Sequence, residues 1–158
     1  MMDVVCLGEL LVDLVSKDGG ASFRRAAGGA PANVAVACAR LGLKSGFIGK
    51  VGDDGFGRFL RDTLKREGVD VSRVYLDDKA NTTLAFVSVD EDGERHFQFC
   101  RGADALLEPS EVDANYMADS KIFHFGSISL IPRPARYATL NAMRVAKENC
   151  LTITYDPN

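Results

Sequence analysis

The chain has 158 residues, enough for one domain with a core of its own. Hydrophobic residues make up 46% and charged residues 26%, the balance of a soluble globular protein rather than a disordered or fibrous one. A formal net charge of −3 argues against nucleic acid as the partner, and no apolar run approaches the roughly 20 residues of a membrane helix.

Asp3 to Leu7 is a β-branched apolar run that predicts a strand, stopping at Gly8-Glu9. Leu10 to Val15 is a second apolar run with one carboxylate, Asp13, inside it. A charge in an apolar strand is costly to bury unless paired or liganded, so Asp13 is a functional candidate; a surface strand charge is the plain alternative. Lys17 to Gly20 predicts a turn. Then come Gly28-Gly29-Ala30-Pro31-Ala32-Asn33 and a small-residue helix that ends before Gly42. Paired glycines let a ligand approach the main chain, and the Asn33 carboxamide both donates and accepts. A tight packing turn explains the same loop equally well.

Phe47 to Val51 predicts a strand, and Gly52 to Gly55 a turn whose acids cap the next helix. Neither a phosphate-binding P-loop nor a calcium loop fits this turn. Phe56, Phe59, Leu60 and Leu64 lie on one face of a helix from Phe56 to Glu67. Thr82 to Val89 and His96 to Phe99 predict a hairpin around Asp90-Glu91-Asp92-Gly93. Ser110 to Ala118 predicts a helix, Ile122 to Phe125 a strand, Ala135 to Asn149 a helix, and Leu151 to Tyr155 a strand that runs into Asp156.

Strands alternating with helices predict an α/β fold with a mostly parallel sheet. The runs at 10–27 and 82–101 break that alternation and predict a small antiparallel flap inserted in the core. Ser127 and Asp156 follow strands, where open α/β sheets bind ligands.

Cys6, Cys38, Cys100 and Cys150 form no CxxC pair, and only His96 and His124 are present, so no metal site is expected. Cys6, Cys38 and Cys150 lie in apolar runs and are expected as buried reduced thiols. With no basic N-terminal run or cleavage site, a cytoplasmic location is expected.

The ordered set of motifs resembles the PfkB family of ribokinase-like sugar kinases. It comprises Gly8-Glu9, Asp13, the Gly28–Asn33 loop, Arg40-Leu41-Gly42, Gly49 to Gly57, Thr82 to Val87, Phe97 to Arg101, Gly102-Ala103-Asp104, Phe123 to Ile128 and Tyr155 to Asn158. The later segments are most similar to fructokinases. The resemblance implies a Rossmann-like αβα sandwich with a β-sheet lid, the whole of 1–158 being the N-terminal part of one kinase domain, incomplete at the C-terminus. It implies ATP-dependent phosphorylation of a sugar hydroxyl, fructose to fructose 6-phosphate, and a homodimer formed through the lid.

By position, the resemblance assigns Asp13, Gly28, Gly29, Asn33 and Arg101 to the acceptor sugar. Phe97, Phe99, Ser127, Asp156 and Asn158 follow as second-tier sugar contacts. The family's catalytic base stands in a Gly-Ala-Gly-Asp motif, which these residues do not contain. ATP and Mg²⁺ are therefore expected at residues outside this chain, and the chain alone is expected to be inactive. Two rivals stand beside this: a kinase of 2-keto-3-deoxygluconate, ribose or a nucleoside, and a kinase-like protein that binds partners without catalysis.

Overall fold

The computed structural model describes residues 1–16, 18–89 and 94–157. Lys17, the hairpin turn Asp90–Gly93 and the candidate Asn158 lie outside the described residues.

One sheet has five strands: β1 (Met2–Leu7), β4 (Ser45–Gly52), β5 (Asp70–Asp77), β8 (Ser120–Gly126) and β9 (Thr152–Asp156). Their order is β5-β4-β1-β8-β9, and every neighbouring pair is parallel. The inner strand β4 is buried at every residue, as a parallel strand covered on both faces must be. The helices α1 (Ala30–Arg40) and α2 (Gly55–Arg66) cover one face, over Val4, Cys6, Phe47 and Val51. The short helix α3 (Ala114–Ala118) and the longer α4 (Ala135–Glu148) cover the other, over Val5, Leu7, Phe123 and Phe125. Leu60 and Leu64 of α2 are fully buried, and each contributes about 1.5–3 kcal/mol of transfer free energy.

A second sheet of four strands, order β3-β2-β6-β7, consists of β2 (Leu11–Ser16), β3 (Arg24–Gly28), β6 (Leu84–Val89) and β7 (Arg95–Cys100). The flap is therefore present, with one correction to its expected character. β2 and β6 run parallel, so the sheet is mixed rather than antiparallel. The two hairpin halves come from distant parts of the chain and enter the flap in the same direction.

Three further expectations change. The chain segment Ser110–Ala118 is not one helix. A 3-10 turn at Pro109–Glu111 is followed by a break at Val112, which turns into the core, and Asp113 then caps α3 through the Asn115 and Tyr116 amides. β5 is an element the alternation did not show, because Asp70, Ser72, Arg73 and Asp77 interrupt its apolar residues on this outer strand. Cys150 is exposed rather than buried: it stands at φ 57 in the turn that leaves α4, while Cys6 is buried and Cys38 partly so.

Candidate acceptor site at the strand ends

The direction of the main-sheet crossovers changes at β1. From β1 the chain moves outward to β4 and β5, then returns to place β8 on the other side of β1. The crevice between the carboxyl ends of β1 and β8 is thus the topological switch point, where such sheets bind ligands. Glu9 follows β1 there, and Ser127 follows β8. The flap begins at this end, because the chain enters β2 immediately after Glu9 and Leu10.

Asp13 lies in β2 opposite Ala26 of β3, half-buried, and burial holds its carboxyl above the ordinary aspartate range. Its Oδ2 packs on the α-carbon of Gly28, so closely that a Cβ on Gly28 would collide with it. Gly28 ends β3, and Gly29 is the N-cap of α1 at φ 113. That positive φ, and the carbonyl oxygen of Glu9 against its α-carbon, leave only glycine at position 29. Asn33 sits one turn into α1 with its side chain exposed, and shares with Gly28 and Leu10 a groove of ≈ 370 Å³ between α1 and α2. Asp13 and Gly28 are thus in contact and Gly29 follows directly, whereas Asn33 faces the α1–α2 groove, whose lining includes Gly28 but neither Asp13 nor Gly29.

Arg101 leaves β7 at the root of the flap. Its Nη2 lies 2.8 Å from Oδ2 of Asp104. Asp104 is buried, and its Oδ1 also accepts from the Thr83 hydroxyl at the start of β6. The Gly102 amide donates to that same hydroxyl oxygen at 2.7 Å. Asp104 therefore joins the two roots of the flap and orients Arg101.

Phe97 and Phe99 are exposed and stacked on each other, with ring centroids 6.2 Å apart. Phe99 and Arg101 line an apolar pocket with Ile128, Ile131 and Pro132, whereas Phe97 lies on the flap beside Phe23 and Phe86. Asp156 pairs in register with Gly126, which puts Asp156 and Ser127 side by side at adjacent strand ends. His124, two residues deeper in β8 than Gly126, is mostly buried and bonded to Thr154 Oγ1 at 2.9 Å. Burial lowers the pKa of His124, against the field of Asp156.

Two residues central to this geometry were not singled out as candidates. Glu9 is 2% exposed, and its Oε1 accepts from the Ala30 amide at 3.0 Å. Asp104 holds Arg101. The signal for both was an acid beside small residues at a strand end, which turn geometry alone also explains.

The family model for "pfkB family carbohydrate kinase" matches residues 1–158. The chain belongs to the PfkB family. "Probable fructokinase-7" of Arabidopsis thaliana is 53% identical over 98% of this chain and 48% of its own length. The fructokinase of Solanum tuberosum is 49% identical over 98% of this chain and 51% of its own length. Among solved PfkB-like folds, the Xylella fastidiosa fructokinase with bound ATP superposes with a TM-score of 0.93 at 38% identity, covering 99% of this chain and 48% of that one. The chain spans about half the length of the curated relatives it matches. Its PfkB fold, a mostly parallel α/β sheet with a small mixed lid, is the fold those structures share. No described helix is long and apolar enough to cross a membrane.

Proposed function

We propose that this chain forms the acceptor-sugar half of a fructokinase, in which ATP phosphorylates fructose to fructose 6-phosphate. The observation that carries the reading is the Asp13 carboxylate seated on Gly28 at the base of the lid. An ionised carboxylate accepts several short hydrogen bonds from a polyol, and the bare glycine backbone lets the ring approach. Arg101, oriented by Asp104, brings a fixed set of donors to the same end of the sheet. We further assign Asn33, which lines the α1–α2 groove with Gly28, and Phe99, Ser127 and Asp156 at the β7, β8 and β9 ends, to the edges of the sugar site.

The high identity to plant fructokinases supports fructose over the rival acceptors 2-keto-3-deoxygluconate, ribose and nucleosides. Among the described residues no group of three or more His, Cys, Asp or Glu is arranged to hold a metal ion. Because the family's Gly-Ala-Gly-Asp motif does not occur in these 158 residues, we assign the catalytic base, the nucleotide and Mg²⁺ to residues outside them, and expect the 158 residues alone to be inactive. Exposed Phe23, Phe97 and Phe99 support the lid as a homodimer surface, which sedimentation of the intact protein checks.

The test is an ATP- and Mg²⁺-dependent phosphorylation assay of the intact kinase across fructose, 2-keto-3-deoxygluconate, ribose and adenosine. Fructose is expected to give the highest kcat/KM. Preference for another acceptor by tenfold or more would replace the substrate, and turnover of none would favour a partner-binding role.

A further inference from the structure

The N-terminus of α1 is capped in an unusual way. Helix N-caps are ordinarily Ser, Thr, Asp or Asn, whose own side chain accepts from the first-turn amides. Here the N-cap is Gly29, which has no side chain. The acceptor comes instead from Glu9, 21 residues before Ala30, whose Oε1 takes the Ala30 amide at 3.0 Å.

The geometry explains why the cap is remote. Gly29 stands at φ 113 with the Glu9 carbonyl oxygen against its α-carbon, so no capping side chain fits there. A local cap would also fill the space beside Gly28 and Asp13. Glu9 delivers its oxygen from just beyond the end of β1, whereas the Asp13 carboxyl approaches the loop at Gly28. The backbone carbonyl of Glu9 packs on Gly29 and its carboxyl holds Ala30, so one residue grips two consecutive residues of the loop.

Burial of this carboxyl is otherwise unfavourable. Glu9 is 2% exposed, and its Oε2 has no hydrogen-bond partner among the described residues. A Cβ built on Gly126 at the end of β8 would lie 3.8 Å from that oxygen and 3.4 Å from Pro31 Cδ. Glu9 thus fills the β1–β8 switch point beneath the loop, within the electrostatic reach of both Arg101 and Asp104.

We infer that Glu9 is a positioning residue for the acceptor: its carboxyl oxygen fixes the Gly28–Ala30 backbone against which the sugar sits. The inference rests on the proposed sugar-kinase function.

Kinetics of the intact kinase carrying this chain test it. Glu9→Ala is expected to raise KM for fructose about tenfold, with kcat and KM for ATP within about twofold. Glu9→Gln retains an acceptor oxygen and is expected to return KM close to that of the unaltered protein. Glu9→Asp withdraws the carboxyl by one methylene and serves if the alanine variant does not fold; it is expected to raise KM in the same direction. A lowered melting temperature or kcat with unchanged fructose KM in the Ala and Asp variants would overturn the inference. So would a Gln variant as impaired as the Ala variant. If the unaltered kinase turns over no sugar, the functional reading falls, and this inference with it. If it does, and the variants leave fructose KM alone, only the inference falls.

Discussion

Arg101 is anchored to Asp104, Nη2 to Oδ2 at 2.8 Å, and the side chain of Asp104 is 1% exposed. Burial pushes the Asp104 carboxyl upward and the Arg101 charge opposes that shift. Removing the arginine leaves a buried acid without its counter-ion. Arg101→Ala is expected to destabilise the protein by about 2 kcal/mol or more, toward the low end for buried pairs because the guanidinium is partly exposed. Asp104→Asn in the same chain should recover part of that loss. Urea denaturation of the two single variants and the double variant measures the coupling, and simple additivity would show that the pair is not energetically linked.

Gly28 and Gly29 are adjacent, but the structure separates their roles. A Cβ on Gly28 meets the end of a side chain, Asp13 Oδ2, which can rotate away. A Cβ on Gly29 meets the Glu9 backbone, at a φ that L-residues rarely adopt. Gly28→Ala is expected to keep most of the fold's stability but weaken fructose binding by displacing Asp13. Gly29→Ala is expected to cost about 1–3 kcal/mol of folding stability. Melting temperature and fructose KM, measured side by side, separate the two.

If Asp13 binds the acceptor as proposed, acceptor binding is expected to be acid-sensitive. Burial raises its pKa, and the ionised form is the one that accepts sugar hydroxyls. As pH falls through that raised pKa the carboxyl gains a proton and the acceptor is lost. Fructose KM is therefore expected to rise on the acid side at a higher pH than an ordinary aspartate would set. The linkage to stability has the opposite sign. A carboxyl whose folded pKa is raised supports folding only at low pH, and that support is lost as pH rises through the folded pKa. Asp13→Asn is thus expected to lose the acid limb of the KM profile while gaining a little stability at neutral pH in the unliganded state.

The sequence showed Asp13 because a lone charge stands out in Leu10–Val15, whereas the glycine pair read equally well as a packing turn until the ordered set of motifs around it was taken into account. Helix α1 was visible as a small-residue run ending before Gly42, and α2 from the spacing of Phe56, Phe59, Leu60 and Leu64. Glu9 and Asp104 were not, since what distinguishes them is contact with residues about 20 positions away, Ala30 and Thr83. β5 stayed hidden for a related reason: an outer strand with one partner tolerates charges at several positions, so its apolar pattern is broken. The parallel pairing of β2 with β6 is likewise a long-range fact that neither run carries by itself.

Asp54 ties the four-stranded flap to the main sheet, and its effect should be separable from that of its neighbour Asp53. The Asp54 carboxylate caps α2 through the Gly57 amide at 2.7 Å and takes both the Thr82 amide and hydroxyl at 2.8 Å. Thr82 in turn accepts from the Gly52 amide, just before β6 enters the lid. Burial alone would raise the Asp54 pKa, but the hydrogen bonds from Thr82, Gly57 and Phe56 outweigh it and hold it below the usual aspartate range. A depressed carboxyl stabilises the fold above its unfolded pKa, and that contribution is lost as pH falls through the folded value. Asp54→Ala is expected to cost about 2 kcal/mol at neutral pH, the upper end for a helix cap, and to flatten the acid limb of the stability profile. It should also raise fructose KM by loosening the lid root. Asp53, by contrast, pairs with Arg58 on the exposed surface, so Asp53→Ala should change stability by less than about 1 kcal/mol. Equal losses for the two variants, read from denaturation at neutral pH, would show that Asp54 acts only as a surface charge and that the lid root is held by other contacts.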